Sequence, residues 1–137
     1  MEHPMKHTLH LVLLTLTLSL APRVWAHDDH VHDHASDHAP AHGGVVVEHM
    51  HFDWELVAKP ERIVLHAREL GKPFSTAGAS GKLTLLSGKH KSEAPLKPAG
   101  DNRLEAVGPF KIGPGTKVVA TVTLAGRPPA NVRFTLR

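Results

Sequence analysis

The chain has 137 residues with thirteen histidines, no cysteine, a formal net charge of +3 and only 4% aromatic residues. Without thiols it has no thiolate zinc site, no cysteine-attached haem and no thiol redox chemistry. Its basic residues are scattered and its aromatics too few for a base-stacking platform, so nucleic acid is not an expected partner.

Residues 1–26 read as a secretory signal peptide. Lys6 and neighbouring histidines make a polar start, and Leu9 to Leu20 is apolar apart from small hydroxyl residues and His10. Pro22 ends the run, and Val24-Trp25-Ala26 puts branched or small residues at the minus-three and minus-one positions of a cut after Ala26. The apolar run is too short for a hydrocarbon core of roughly 30 Å. The expectation is a periplasmic protein with no membrane attachment once the signal is cleaved. Cleavage would remove Lys6, Arg23 and Glu2, leaving fourteen Lys+Arg against twelve Asp+Glu. The expected mature chain is therefore close to neutral.

Residues 27–42 follow as a low-complexity arm. His27, His30, His32, His34, His38 and His42 alternate with Asp28, Asp29, Asp33 and Asp37, with no lysine or arginine among them. The arm lacks any apolar period, so it is expected to be disordered without metal. Imidazoles two to four residues apart can wrap one ion, which is the compositional signature of metal binding. The nitrogen and oxygen donors suit copper(II), zinc, nickel or cobalt without choosing among them. Cleavage after Ala26 would also let the amine and ring of His27 chelate one ion together.

From Gly43 to Arg137 the composition shifts to valine, leucine, threonine, glycine and proline, enough for one small domain. Period-two alternation between turn signals predicts strands throughout. Val45 to Val47 begin the first. Phe52, Trp54, Leu56 and Ala58 then share an inward face, opposite His51, Asp53 and Glu55. Beyond Pro60, Ile63, Leu65 and Ala67 resume the inward face, and Gly71-Lys72-Pro73 leads into a loop carrying Gly78 and Gly81. Leu83 and Leu85 mark the next strand, which Gly88 closes. Ala94 and Leu96 mark another, held to a sheet edge by Pro95. Leu104 and Ala106 precede a loop rich in glycine and proline. Val118, Ala120, Val122 and Leu124, then Val132, Phe134 and Leu136, complete the pattern. The fold class is all-β: an antiparallel, immunoglobulin-like β-sandwich of seven to eight short strands over residues 43–137, with an open barrel as the alternative.

A second candidate metal cluster lies at the start of this domain: His42-Gly43-Gly44, then Glu48-His49-Met50-His51, with Asp53 beyond. If one strand runs straight through residues 49 to 53, His49, His51 and Asp53 project from one face, with Glu55 next in the row. Met50 would then point away. Only a turn at 48–51 would re-aim its thioether toward copper(I). His66 and His90 read as solvated surface histidines, and Trp54, in phase with Phe52 and Leu56, reads as a core anchor.

Several segments carry a family resemblance: His42-Gly-Gly-Val-Val-Val-Glu, His51-Phe-Asp-Trp-Glu-Leu-Val and Thr76-Ala-Gly-Ala-Ser-Gly-Lys-Leu-Thr-Leu-Leu-Ser-Gly. The pattern continues at Leu96-Lys-Pro-Ala-Gly-Asp-Asn-Arg-Leu and Lys117-Val-Val-Ala-Thr-Val-Thr-Leu-Ala-Gly. The chain resembles small secreted proteins that accompany Gram-negative heavy-metal efflux systems. Its histidine-rich leader and His-Gly-Gly opening are similar to the amino-terminal region of periplasmic adaptor subunits of metal-exporting pumps. The adaptors' helical hairpin and lipoyl-like domains are absent, and His49-Met50 stands where the pattern leads one to expect a glycine-containing turn. The resemblance implies periplasmic handling of metal.

Together these readings predict a non-enzymatic module that buffers or delivers divalent heavy metal in homeostasis or resistance. The alternative is an interaction module that docks onto a periplasmic efflux-pump component and uses the arm as a tether. No nucleophile with a positioned base and no rigid open metal site suggests catalysis.

Overall fold

From residue 80 onward, alternation in the sequence becomes alternation in burial along every strand, whereas the strands over 52–69 are buried on both faces for part of their length. The computed structural model describes residues 38–137; the expected signal peptide at 1–26 and residues 27–37 of the arm lie outside the described residues. The strands are β1 (Val45–His49), β2 (Phe52–Lys59), β3 (Arg62–Glu69), β4 (Lys72–Pro73), β5 (Ser80–Ser87), β6 (His90–Pro98), β7 (Arg103–Val107), β8 (Lys117–Thr123) and β9 (Ala130–Thr135). The count passes the expected seven or eight because Lys72 and Pro73 form a two-residue strand beside Glu69 and Arg68 of β3.

All pairings are antiparallel, in the order β1-β2-β3-β7-β6-β5-β8-β9. The expected all-β antiparallel sandwich is therefore the fold, in a form that approaches a barrel. One layer holds β1, β2, β3 and β7, and the other holds β5, β8 and β9. β6 joins them: it pairs with β5 from His90 to Leu96 and with β7 only at Lys97 and Pro98. Pro95 thus lies where β6 has a single ladder neighbour, as its missing N–H requires. The end strands β1 and β9 touch without ladder pairing.

Both layers turn their apolar residues inward. Ile63, Leu65, Leu83, Leu104, Val118 and Ala120 are fully buried, and Trp54, Leu56, Leu85, Val122 and Val132 nearly so. Burying each large side chain contributes roughly 1.5–3 kcal/mol relative to exposure. Gly81 lies within β5 rather than in the preceding loop. A Cβ there would sit 2.8 Å from the Thr121 carbonyl oxygen, so the close approach of β8 explains the glycine.

The β1–β2 connection departs most from expectation. A two-residue turn, Met50-His51, joins the strands, with φ at +52° and +67°. Both central residues are left-handed, the geometry of a type I′ hairpin, which usually recruits Asn-Gly. The ladder pairs His49 with Phe52, Glu48 with Asp53, Val47 with Trp54 and Val46 with Glu55. His49 therefore shares the inward side with Val47 and Trp54, while Asp53 projects from the opposite side beside Glu48.

Candidate functional site

On β2 the outward residues Asp53 and Glu55 are expected to meet water. Instead Asp53 is 3% and Glu55 0% exposed. The cover is residues 38–44, which strap across the outer face of β2 and β3. Residues 38–42, expected to be disordered, are instead held to the sheet by hydrogen bonds, because buried carboxylates supply acceptors for their backbone and for the His38 and His42 rings.

Glu55 anchors the strap. Its carboxylate accepts the backbone N–H of Ala41 at 3.0 Å, of His42 at 2.7 Å and of Gly44 at 3.0 Å, and the His42 Nδ1–H at 3.0 Å. Burial alone raises the carboxyl pKa, but the Gly44 N–H, the His42 ring and the His42 and Ala41 N–H groups outweigh it and bring it down to about 2. Because an ionised carboxylate only accepts, Nδ1 of His42 carries the proton. Gly44 fits because a Cβ there would lie 2.4 Å from the Leu56 carbonyl oxygen.

His66 of β3, opposite Glu55 in the ladder, forms the floor beneath His42. The two rings stack with centroids 3.7 Å apart and planes 4° from parallel. His66 does project outward, but the strap leaves it 8% exposed, which corrects the expectation of a solvated surface histidine. Burial chiefly depresses its pKa; the charge of His42 adds to this, Glu55 opposes it, and Arg103 and Arg68 depress it further. Its Nδ1 is buried without a hydrogen-bond partner. His90 is exposed at the start of β6, as expected.

Both shifts run downward, so the metal-free domain should lose stability on acidification in two stages. His66 contributes stability in full above its unfolded value of about 6.5, and that contribution falls away as pH drops toward its lower folded value. Glu55 contributes above its ordinary value and is lost as pH falls from 4.5 toward about 2. Denaturant midpoints measured against pH in chelator test this. The His66→Phe variant should lack the upper stage, and an identical profile in that variant would refute the assignment.

The other end of the strap holds the candidate metal centre. His38 Nδ1 lies 2.7 Å from Asp53 Oδ1, and its Nε2 lies 3.8 Å from Glu48 Oε2. One ligand atom from each of His38, Glu48 and Asp53 falls within 4.8 Å of the others. Glu48 and Asp53 are direct cross-strand partners, an arrangement of like charges that is destabilising unless a cation sits nearby. Arg68, opposite Asp53 on β3, directs its guanidinium to the Ala39 carbonyl at 2.9 Å and helps hold the strap.

The predicted residues thus separate. His27, His30, His32 and His34 lie outside the described residues. His38 and Asp53 come together, and His42 docks on Glu55. His49, His51 and Asp53 do not form one row, because the two-residue turn reverses the parity on which that row depended. Glu48 was read within the second cluster and Glu55 as next in its row, neither as a chosen ligand, and His66 as a surface histidine. The signal for Glu48 was available: a two-residue turn at 50–51 makes it the partner of Asp53. No protein-family model, curated protein or solved structure matches this chain.

Proposed function

We propose that this chain is a periplasmic module that binds divalent transition metal, buffering or delivering it in heavy-metal homeostasis or resistance, and that it is not an enzyme. The observation that carries this reading is the His38–Asp53–Glu48 cluster at the end of a histidine-rich arm. A first-row ion with bonds of about 2.0–2.1 Å holds ligand atoms no more than about 4.2 Å apart. The half-exposed Glu48 side chain is free of the core and can make the small contraction required. His34 and His32 stand only four and six residues before His38 in the chain, so further imidazoles are available to the same ion. The site takes zinc, copper(II), nickel or cobalt. Its expected setting remains that of the secreted proteins accompanying metal efflux, on the resemblance of the segments quoted above.

Calorimetric titration with each metal tests the reading on three versions of the chain: wild type, one with His27, His30, His32 and His34 all changed to Asn, and His38→Asn/Asp53→Asn. The arm version should bind fewer ions yet retain the tightest one, and the double variant should lose that tightest ion. Equal affinity in all three, or no binding tighter than about millimolar, would overturn it.

A further inference from the structure

The β1–β2 hairpin tip carries a second, chemically different set of donors. Met50 and His51 hold left-handed backbone conformations that cost non-glycine residues of order 1–2 kcal/mol each. Strain of this kind clusters at ligand-holding sites, and the other described non-glycine residue that bears it is Leu70, at φ +51°. The turn that separates His49 from Asp53 also brings His49, Met50 and His51 to the wall of one cavity of about 290 Å³. The remaining wall is mostly apolar, with Trp54 and Leu124 among its residues. Arg127 also lines it, with its guanidinium over the rings of Phe52, another wall residue, and Phe74, and the Glu69 carboxylate at 3.2 Å offsets its charge.

We propose that His49, Met50 and His51 form a copper(I) site at this cavity, separate from the divalent cluster. Two imidazoles and a thioether are the donor set that a soft monovalent ion prefers, and they are poor in the hard oxygens that the His38 cluster offers. An apolar wall favours the lower charge, because desolvating a monovalent ion costs less than desolvating a dication. The two sites lie on opposite sides of the β1–β2 ladder: His49 is turned inward with Val47, and Glu48 and Asp53 outward. One short hairpin therefore presents a hard site and a soft site on its two faces.

The chain's only sulfur atoms are in Met1, Met5 and Met50, which makes the test specific. The full chain is loaded anaerobically with one equivalent of copper(I) under ascorbate, competed with a chromophoric chelator and examined by copper X-ray absorption. A sulfur scatterer at about 2.3 Å, the length of a first-row metal–sulfur bond, is expected. Met50→Leu should remove it, whether or not cleavage after Ala26 has already taken away Met1 and Met5, and should weaken copper(I) about tenfold, the loss of one bond's contribution. His49→Gln/His51→Gln should weaken it further, whereas Asp53→Asn should leave copper(I) affinity unchanged while lowering zinc affinity. A sulfur signal that survives Met50→Leu, an absent signal in wild type, or equal losses of zinc and copper(I) in each variant would overturn the proposal.

Discussion

Glu55→Ala is expected to lower the melting temperature of the metal-free protein by roughly 10–25 °C, corresponding to about 2–4 kcal/mol in a domain of this size. The carboxylate is fully buried and accepts from three backbone N–H groups and one imidazole. Alanine leaves those donors without an acceptor beneath the strap, and the strap must either detach or keep them unsatisfied. Detachment would uncover His66 and Asp53, so the cost extends beyond the hydrogen bonds lost. Glu55→Gln, which retains one oxygen acceptor, should cost less. Thermal unfolding followed by circular dichroism distinguishes them. A shift of under about 2 °C for the alanine variant would mean that the strap contributes nothing to the fold.

Asp53→Asn should weaken binding of the first zinc or copper(II) ion by at least about tenfold, within the range seen when a metal site loses a supporting carboxylate. Asparagine keeps the size of the side chain and an oxygen that can still accept from His38, so the strap should stay docked. What disappears is the negative charge and a good metal donor. Glu48→Gln should have the smaller effect, because its side chain is 59% exposed against 4% for Asp53 and its charge is already screened by water. Competition against a zinc-sensitive chromophore measures both. Unchanged affinity in Asp53→Asn would remove the cluster from the list of sites and leave the arm alone to explain metal capture.

The strand pattern was legible because a sandwich core imposes period two on every strand that borders it. Phe52, Trp54 and Leu56 announce their inward face, as do Val118, Ala120 and Val122. The site was less legible, for two physical reasons. A two-residue turn of Met50 and His51 carries none of the glycine or asparagine that normally signals positive φ, so the sequence left a turn at 48–51 and a straight strand over 49–53 both open. That single turn moved His49 inward and made Glu48 the neighbour of Asp53. The second reason lies in the strap. Periodicity reports which face of a strand is apolar, but it carries no information about a polar segment that folds back through main-chain hydrogen bonds. Glu55 and His66 therefore read as solvent-facing, and only the tertiary structure shows them covered.

The grip of Glu55 on the strap is made chiefly with main-chain groups of Ala41, His42 and Gly44, and Arg68 reaches the main chain of Ala39. Apart from the His42 ring, which bonds Glu55 and stacks on His66, such a clasp reads the path of the backbone and not the side chains it carries. His38 belongs both to the fastening and to the proposed metal cluster, but the grip through Glu55 and any metal affinity of the histidines upstream of His38 are governed by different atoms. Histidines upstream can change in number or order without loosening the joint, so one sandwich can carry a range of capture sequences.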